Sequence, residues 1–527
     1  MIDNPTIMGI SHLCCWNPGV ALIKDNKLIF FAEEERYNRI KGSPSRFPVK
    51  AIEACLDFAR IDYSDIDYIA TGMLKGTQIV SDSQIMDAVT RLFPNNKDFK
   101  WFSHHLSHAA SSIIPSGFKE TNFITSDGQG DWDSGIYGYF DGEINILGRI
   151  PPRNSLGNFY SWSTSKCNFK IHEQEGKLMG LASYGKPDES LDAFTYTSSR
   201  DNIIRVNAFE YQESLQIPQN PIVFNRTEDA SKKEEYINLA ATTQKIFEKS
   251  ILSILNFLNK KHYSESLCVA GGSFLNCTAN GKIAKKVKNM FIQPASTDSG
   301  TALGAAILAY KELTNIWPDI NFESAYWGSG PGDIEKTLEN NSDKITFKKQ
   351  ENISKTIAIL VHNNNVIGYV NGRAEVGPRA LCHRSIIANP TIKDNLRRVN
   401  NIKNREQWRP LAPVIKEESF FEIVNSPCLS PFMLMACEVK DAWRSKIPAV
   451  THVDNSCRPQ TIALKSNPEI HEALTYFETM SGVPVFMNTS FNLNGEPLVQ
   501  TTQDAINTFL NSELDYLIVQ DYLISRI

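Results

Sequence analysis

The stretch Thr121–Leu147, TNFITSDGQGDWDSGIYGYFDGEINIL, decides the fold. It reads as an apolar strand over Phe123–Thr125, an acidic glycine turn at Asp127-Gly128, a strand over Gly135–Phe140, a turn at Asp141-Gly142 and a strand over Glu143–Leu147. The same order opens the chain. A strand over Thr6–Ser11 precedes Val20–Lys24 and Lys27–Ala32, which flank the Asp25-Asn26 turn. A helix over Val49–Ala59 and an apolar strand at Tyr68–Thr71 follow. After the second meander come a long amphipathic helix over Tyr236–Leu258, a strand over Leu267–Ala270 and a Gly271-Gly272 turn. A helix from Leu275, a strand over Met290–Gln293 and a helix from Gly300 complete the series.

Three strands, a helix, a strand and more helix, written twice, match an actin-like ATPase domain, whose two halves bind a nucleotide in the cleft between them. Around Trp317–Lys344 the pattern loosens into Gly, Pro, Asn and Asp, most clearly at Gly328-Ser-Gly-Pro-Gly332. This places a boundary near Ser342–Phe347, with domains over 1–343 and 344–527. The second domain alternates short β runs, such as Val366–Val370 and Val483–Met487, with helix patterns, so the class is α/β (α+β) throughout. No repeat of 20–50 residues and no low-complexity tract stands out.

A chain of 527 residues is too long for one core. Hydrophobic content of 42% and charged content of 21% are ordinary for a globular enzyme. A net charge of -5, with no lysine- or arginine-rich tract, gives no field for nucleic acid. No apolar run reaches the roughly 18 residues of a membrane span. The start, Met-Ile-Asp-Asn-Pro, lacks the basic and apolar segments of a secretion signal. Ten scattered cysteines without a Cys-x-x-Cys pair fit reduced thiols. The expectation is a soluble, cytoplasmic, multidomain protein with neither nucleic-acid nor membrane partners.

Three constellations carry chemistry. His104 and His108 lie four residues apart on a helix pattern, which sets two imidazoles on one face. With Asp127 and Asp298 they could supply two nitrogens and two carboxylates, a set suited to Fe(II), with Mn(II) or Zn(II) as alternatives. A plain N-cap for the helix near Gly300 is the competing role for Asp298. Gly128, Gly130, Gly271, Gly272 and Gly300 each sit at a turn where bare amides can approach phosphate. Lys177, in Glu175-Gly-Lys-Leu-Met-Gly-Leu-Ala-Ser-Tyr-Gly185, is either a phosphate or carboxylate partner or a solvated surface lysine. The third constellation is cationic: Arg373, Arg379, His383 and Arg384, then Lys403, Arg405, Arg409 and Arg458, with Asn488 in an Asn-Thr-Ser-Phe-Asn run. Arginines among Gly and Pro suit bidentate phosphate binding better than a solvated helix face, although an interdomain surface is the alternative.

The phrases HHLSHAAS, SDGQGD, EGKLMGLASYG, AGGSFLNCTANG, QPASTDSGTALGAA, GRAEVGPRALCHRSI, NREQWRPLAP and NTSFNLNGEPLV span nearly the whole chain. In that order they resemble the carbamoyltransferase family that includes NodU and the antibiotic O-carbamoyltransferases. The resemblance implies an actin-like domain similar to the tRNA threonylcarbamoyl transferase, followed by a YrdC-like domain. It implies that carbamoyl phosphate and ATP, with Mg(II), give a carbamoyl-adenylate whose carbamoyl group passes to a hydroxyl on a small-molecule or sugar acceptor beside an iron-type metal. Carried over by motif, His104, His108, Asp127 and Asp298 are the metal ligands. Lys177, Gly271, Gly272 and Asn276 fall in the adenylate phrases, and Lys41, Gly128 and Gly130 join the expected cofactor contacts. Arg373, Arg379, His383, Arg384, Lys403, Arg405, Arg458 and Asn488 are expected to line the carbamoyl-phosphate and ATP site. Of all these, His104, His108, Asp127, Arg379, His383 and Arg384 form the expected catalytic set. A homodimer would be unsurprising for the family.

The chemistry accounts for the residue types. Carbamoyl phosphate and ATP bring several negative charges together, so their site needs fixed cations. An acyl adenylate is lost to water unless enclosed. The chain also departs from its relatives. Where they carry an early His-Asp pair, this chain reads Cys14-Cys15-Trp16-Asn17, with His12 four residues off, and Asn494 stands where arginine is frequent. Competing readings are a tRNA threonylcarbamoylation enzyme, which the absence of basic tracts disfavours, and a non-catalytic actin-like nucleotide-gated module, which would not need the arginines.

Overall fold

The computed structural model describes residues 4–11, 17–44, 46–76, 89–93, 99–215 and 229–527. His12, Cys14, Cys15 and Trp16 lie outside them. The chain forms two compact units, one of residues 1–34 and 42–322, the other of 35–41 and 323–527.

The first unit is built on two five-stranded sheets. Strands β1 (Ile7–Ile10), β2 (Gly19–Lys24), β3 (Lys27–Glu33), β4 (Tyr68–Thr71) and β5 (Phe99–Trp101) lie in the order β3-β2-β1-β4-β5. Strands β6 (Thr121–Thr125), β7 (Gly135–Phe140) and β8 (Ile144–Ile150) precede a hairpin of β9 (Thr195–Thr197) and β10 (Ile204–Val206). With β11 (Ser266–Ala270) and β12 (Asn289–Ile292) they give the order β8-β7-β6-β11-β12. Each sheet is an antiparallel three-strand meander with two parallel strands added beside the first. The halves are thus topological copies, as the actin-like pattern requires. Local chemistry sets the turns. Asp25 and Asn26 both adopt positive φ, the geometry of a two-residue hairpin.

Two helices fill the space beside the sheets. His104–Ile113 and Gly300–Thr314 are buried along nearly their whole length. The small residues Ala109, Ala110, Ser111 and Ser112 are fully enclosed. A side chain at Gly304 would run into the backbone of Ser107, so the helices touch main chain to main chain there. On its other side, Gly300–Thr314 receives Gly9 of β1, where a methyl group would strike the Ala302 carbonyl. Close packing of this kind leaves the histidine helix little freedom to slide.

The second unit carries an eight-stranded mixed sheet. Its strands are β13 (Ile345–Lys349), β14 (Ile367–Val370), β15 (Arg384–Ala388), β16 (Ala412–Lys416), β20 (Gln460–Ile462), β21 (Val485–Ser490), β22 (Tyr516–Val519) and β23 (Tyr522–Arg526). They run in the order β13-β23-β22-β14-β15-β21-β16-β20. The short β17 (Val424–Asn425), β18 (Cys437–Val439) and β19 (Ser456–Cys457) make a separate three-stranded sheet.

The division falls at 322/323, about twenty residues before the 343/344 boundary read from composition. Long-range hydrogen bonds explain it: Gly328 N–H donates to Ala374 C=O, Thr502 N–H donates to Pro331 C=O, and the Tyr326 hydroxyl donates to Leu381 C=O. Residues 35–41 are tied to the second unit by side chains. Arg36 donates to the Gly377 carbonyl, Tyr37 and Ser329 share a hydroxyl pair, and Arg39 donates to the carbonyls of Pro497 and Leu498. Among the described residues, no helix is long and apolar enough to cross a membrane.

Candidate functional site

In the first unit, the helix His104–Ile113 and the turn after β6 bring His104, His108 and Asp127 together, and the turn before Gly300 adds Asp298. One ligand atom from each lies within 4.8 Å of the others. His104 Nε2 is 2.8 Å from Asp127 Oδ2 and 3.9 Å from Asp298 Oδ1. His108 Nε2 is 3.5 Å from Asp127 Oδ2. The side chain of Asp298 faces these groups instead of capping the helix, and Ser299 at the cap position makes no side-chain cap bond. Four-residue spacing does place both imidazoles on one side of the helix, with ring centroids 4.7 Å apart.

Asp127 is held by its own backbone. Its N–H donates to the Ser134 carbonyl, and its carbonyl accepts from Ser155 Oγ, the N-cap of the helix Leu156–Lys166. Gly157, one residue into that helix, packs so close that a methyl group there would overlap the Asp127 backbone. Gly130 lies against the His104 ring in the same way. At Gly128 a methyl group would meet only Asn158 Oδ1, at 3.0 Å. Sequence reasoning missed Ser155 and Gly157, which belong to the site only through folding. It also passed over His105, fully buried one residue beyond His104, whose ring nitrogens meet the Asp133 carbonyl at 3.1 Å and Thr125 Oγ1 at 3.2 Å.

Electrostatics separate the histidines. Burial alone would lower all three, but the Asp127 carboxylate and its hydrogen bond hold His104 up at about 9. Burial takes His105 down to about 4, and His108 is also lowered. Burial would raise Asp127, yet the neighbouring His105 and His104 hold it well below the usual carboxylate range. Asp298 rises to about 6 through burial, with the Asp127 charge adding to it. His108 Nδ1 and Nε2 and Asp127 Oδ1 make no hydrogen bond although buried. Buried polar atoms left without partners beside carboxylates are what a cation would satisfy, and the donor set of two imidazoles and two carboxylates fits Fe(II), Mn(II) or Zn(II).

In the second unit the predicted cations divide into two groups. Arg384 is fully buried, with Nε on the Gln500 carbonyl at 3.0 Å and Nη1 on the Asn371 and His383 carbonyls at 2.8 and 2.9 Å. Arg373 likewise donates to the carbonyls of Gly328 and Trp327. These guanidiniums hold loops. His383 donates from Nδ1 to the Arg373 carbonyl at 2.6 Å and stacks on Tyr326 with centroids 3.4 Å apart. Burial lowers it to about 4, so it is neutral. Asn488 donates from Nδ2 to the carbonyl of Ala380, the residue after Arg379.

The other group converges. The positive charges of Arg405, Arg409 and Lys41 bear on Lys403, and those of Arg409 and Arg458 on Arg405. Lys403 Nζ donates to Ser490 and Asn492. Arg405 Nε donates to Asn400 Oδ1 at 2.6 Å, while its Nη2 and the Nε of Arg458 are buried without hydrogen-bond partners. Burial first, then mutual repulsion, lowers Lys403 and Arg405 far below their usual values, and Arg409 less far. Among the described residues, the carboxylates that act on this group are Glu406 beside Arg405 and Arg409, and Glu496 beside Lys403. Like charges packed so closely call for an anion.

Other expected contacts sit elsewhere in the first unit. Asn276 caps the helix Cys277–Ala284 through Ala279 N–H and exchanges amide hydrogen bonds with Gln244, so its side chain is engaged within the fold. Lys177 lies over the Phe169 ring, 5.3 Å from its centroid. At Gly271, which has positive φ, a methyl group would strike the Ser126 backbone, whereas at Gly272 it would enter open space. Asn17, the described remnant of the early departure from the family pattern, adopts positive φ.

Comparison with known proteins now bears on these sites. The Carbamoyltransferase N-terminus family matches residues 90–307 and the Carbamoyltransferase C-terminus family residues 358–526. Nodulation protein NolNO of Sinorhizobium fredii is 34% identical over 550 residues, covering 96% of this chain and 78% of that protein. The 3'-hydroxymethylcephem-O-carbamoyltransferase of Streptomyces clavuligerus is 27% identical, covering 96% of this chain and 97% of that protein. Among solved structures, full-length HypF in its phosphate- and nucleotide-bound form is a remote likeness, at 14% identity and a TM-score of 0.37 over 59% of this chain and 47% of that one.

Proposed function

The chain belongs to the carbamoyltransferase family, and from that premise we propose that it is an ATP-dependent O-carbamoyltransferase that draws its carbamoyl group from carbamoyl phosphate. The observation that carries the proposal is the convergent cation group of buried Lys403, half-buried Arg405, Arg409 and Arg458 and exposed Lys41, which has enclosed donors on Arg405 and Arg458 still to be met. In this reading the second unit is YrdC-like. Carbamoyl phosphate and the phosphates of ATP, with Mg(II), occupy the cations: water releases inorganic phosphate from carbamoyl phosphate, and the carbamate left behind attacks the α-phosphorus of ATP, expelling pyrophosphate and giving a carbamoyl-adenylate. Arg405 and Arg458 are oriented for anion oxygens because neighbouring cations make their unliganded state costly. Arg384 and Arg373 keep the loops around them rigid by holding backbone carbonyls, and neutral His383 keeps its ring fixed on Tyr326. The adenylate-phrase residues Lys177, Gly271 and Gly272 belong with the nucleotide in the same reading.

The first unit performs the transfer. His104, His108, Asp127 and Asp298 would hold a divalent ion, Fe(II) in our reading, which when bound supplies Lewis acidity to the carbamoyl oxygen or the acceptor hydroxyl. The chain's own contribution is placement. Ser155 and Gly157 fix Asp127, Gly130 fixes the His104 ring, and the burial of the helix excludes water from its histidine face. His105 stays neutral and keeps the turn at Asp133 in place. The acceptor is a hydroxyl on a small molecule or sugar, in keeping with the hydroxymethyl group named for the cephem relative, and a cytoplasmic location belongs to the same reading.

The test is carbamoyl-phosphate-dependent exchange of labelled pyrophosphate into ATP by the full chain. Exchange is expected in the wild type and, undiminished, in His108→Ala, while His108→Ala no longer carbamoylates a panel of methyl pyranosides. Absence of exchange in the wild type defeats the proposal, and loss of exchange in His108→Ala defeats the assignment of two separate steps.

A further inference from the structure

Asp131 is outside the donor set, yet it touches the element that carries two of the four donors. Its Oδ2 accepts the His104 backbone N–H at 2.8 Å and its Oδ1 accepts the Leu74 N–H at 3.0 Å. The helix His104–Ile113 lacks a side-chain cap of its own, since Ser103 makes no cap bond. Its first N–H is therefore satisfied by a carboxylate from another part of the chain, next to the positive end of the helix. Asp131 reaches it because the turn is tight. Gly130 N–H donates to the Asp133 carbonyl at 2.9 Å, Asp133 N–H returns the bond at 3.1 Å, and Asp131 sits between them at φ +54.

We infer that Asp131 is a positioning residue for the ion-binding set, clamping the histidine helix to the Asp127 turn and to the chain leaving β4. This rests on the reading that His104, His108, Asp127 and Asp298 hold a metal ion. Three segments meet in one carboxylate. The turn brings Asp127, the helix brings both histidines, and Leu74 follows Gly72, which is wedged between Thr301 and Ser107 of the two central helices. Neither acceptor can be dropped without freeing one segment from the others. An amide in place of the carboxylate keeps one oxygen and points an NH2 group at the second N–H, so it can serve only one of the two. Partners in the shell around metal ligands are typically worth ten- to a hundredfold in metal affinity.

The experiment is a Co(II) titration of the metal-free full chain, followed by the visible d–d absorption of the bound ion, for the wild type, Asp131→Asn and Asp141→Asn. Asparagine is favoured at positive φ, so the turn itself should survive the change. Asp141 is a control in the next hairpin, where its contact is Asn145. Asp131→Asn is expected to bind Co(II) ten- to a hundredfold more weakly with an altered absorption envelope, while Asp141→Asn matches the wild type. Titrations are made below the melting transition of all three proteins. Wild-type affinity and spectrum in Asp131→Asn would overturn the inference. A wild type that develops no Co(II) absorption would instead defeat the metal reading on which it stands, so the two failures are told apart.

Discussion

Replacing Gly130 by alanine isolates the steric demand at the candidate metal centre. A methyl group there would lie 2.8 Å from His104 Cβ and closer still to the ring. Carbon atoms in contact need about 3.5 Å, so the His104 Cβ must retreat by roughly 0.7 Å and its ring by roughly 1.4 Å, or the turn must lift away. Metal–ligand distances tolerate only about 0.2 Å. The methyl therefore removes His104 from any common coordination sphere long before it unfolds the protein. Overpacking of one methyl costs about 1–3 kcal/mol, a modest loss for a chain of this size. Gly130 is not among the glycines at positive φ, so the change is steric and not a matter of backbone strain. Gly128→Ala is the matched control, because there the methyl meets the movable end of Asn158 at 3.0 Å. Isothermal titration with Zn(II) should show affinity in Gly130→Ala reduced by a hundredfold or more, and in Gly128→Ala by less than about threefold. Equal affinities in the two variants would refute the argument that the glycine exists to admit the His104 ring.

Two further outcomes are expected in the second unit. Arg458→Met removes a cation from a crowded group, so the unliganded protein should be no less stable, while KM for carbamoyl phosphate rises by about ten- to a hundredfold, the worth of a charge-assisted bond; steady-state exchange kinetics and thermal melting read the two effects separately. His383, lowered to about 4 by burial, makes stability fall with acid: above its ordinary value of about 6.5 both folded and unfolded chains are neutral there, and between 6.5 and 4 only the unfolded chain takes up the proton. Urea unfolding followed from pH 7 to pH 4 should show a loss of about 3 kcal/mol attributable to this group and absent in His383→Gln, and parallel curves for the two proteins would refute it.

Local sequence made the repeated meander, the Val49–Ala59 helix and the β4 strand legible, because hydrophobic period and turn chemistry act over a few residues. It also placed His104 and His108 on one face, since helix geometry alone decides that. What it left open for Asp298, cap or ligand, depended on where the carboxylate points once residues 104 and 298 are neighbours. Asp131 was invisible for the same reason: the bonds that give it meaning run to His104 and Leu74, one helix and one sheet away. Residue type was a poor guide to use among the arginines. Arg384 and Arg405 look alike in sequence, but one is saturated by backbone carbonyls and the other keeps a buried donor unmatched. Asn276 similarly turned out to be engaged as a helix cap. The 343/344 boundary follows where composition loosens, whereas membership in a unit follows long-range hydrogen bonds, which gather residues from 323 onward.

The membership of residues 35–41 in the second unit has a consequence for biosynthesis. Those seven residues leave the ribosome well before their partners, since Arg36, Tyr37 and Arg39 meet Gly377, Ser329, Pro497 and Leu498. About 280 residues separate the segment from the start of the rest of its unit, which at about 5–20 residues per second is tens of seconds of translation. The nascent chain must therefore keep an arginine-bearing segment in waiting until residues 323–527 have been made, and a gene cut at residue 322 would yield two polypeptides of which neither carries the whole second unit.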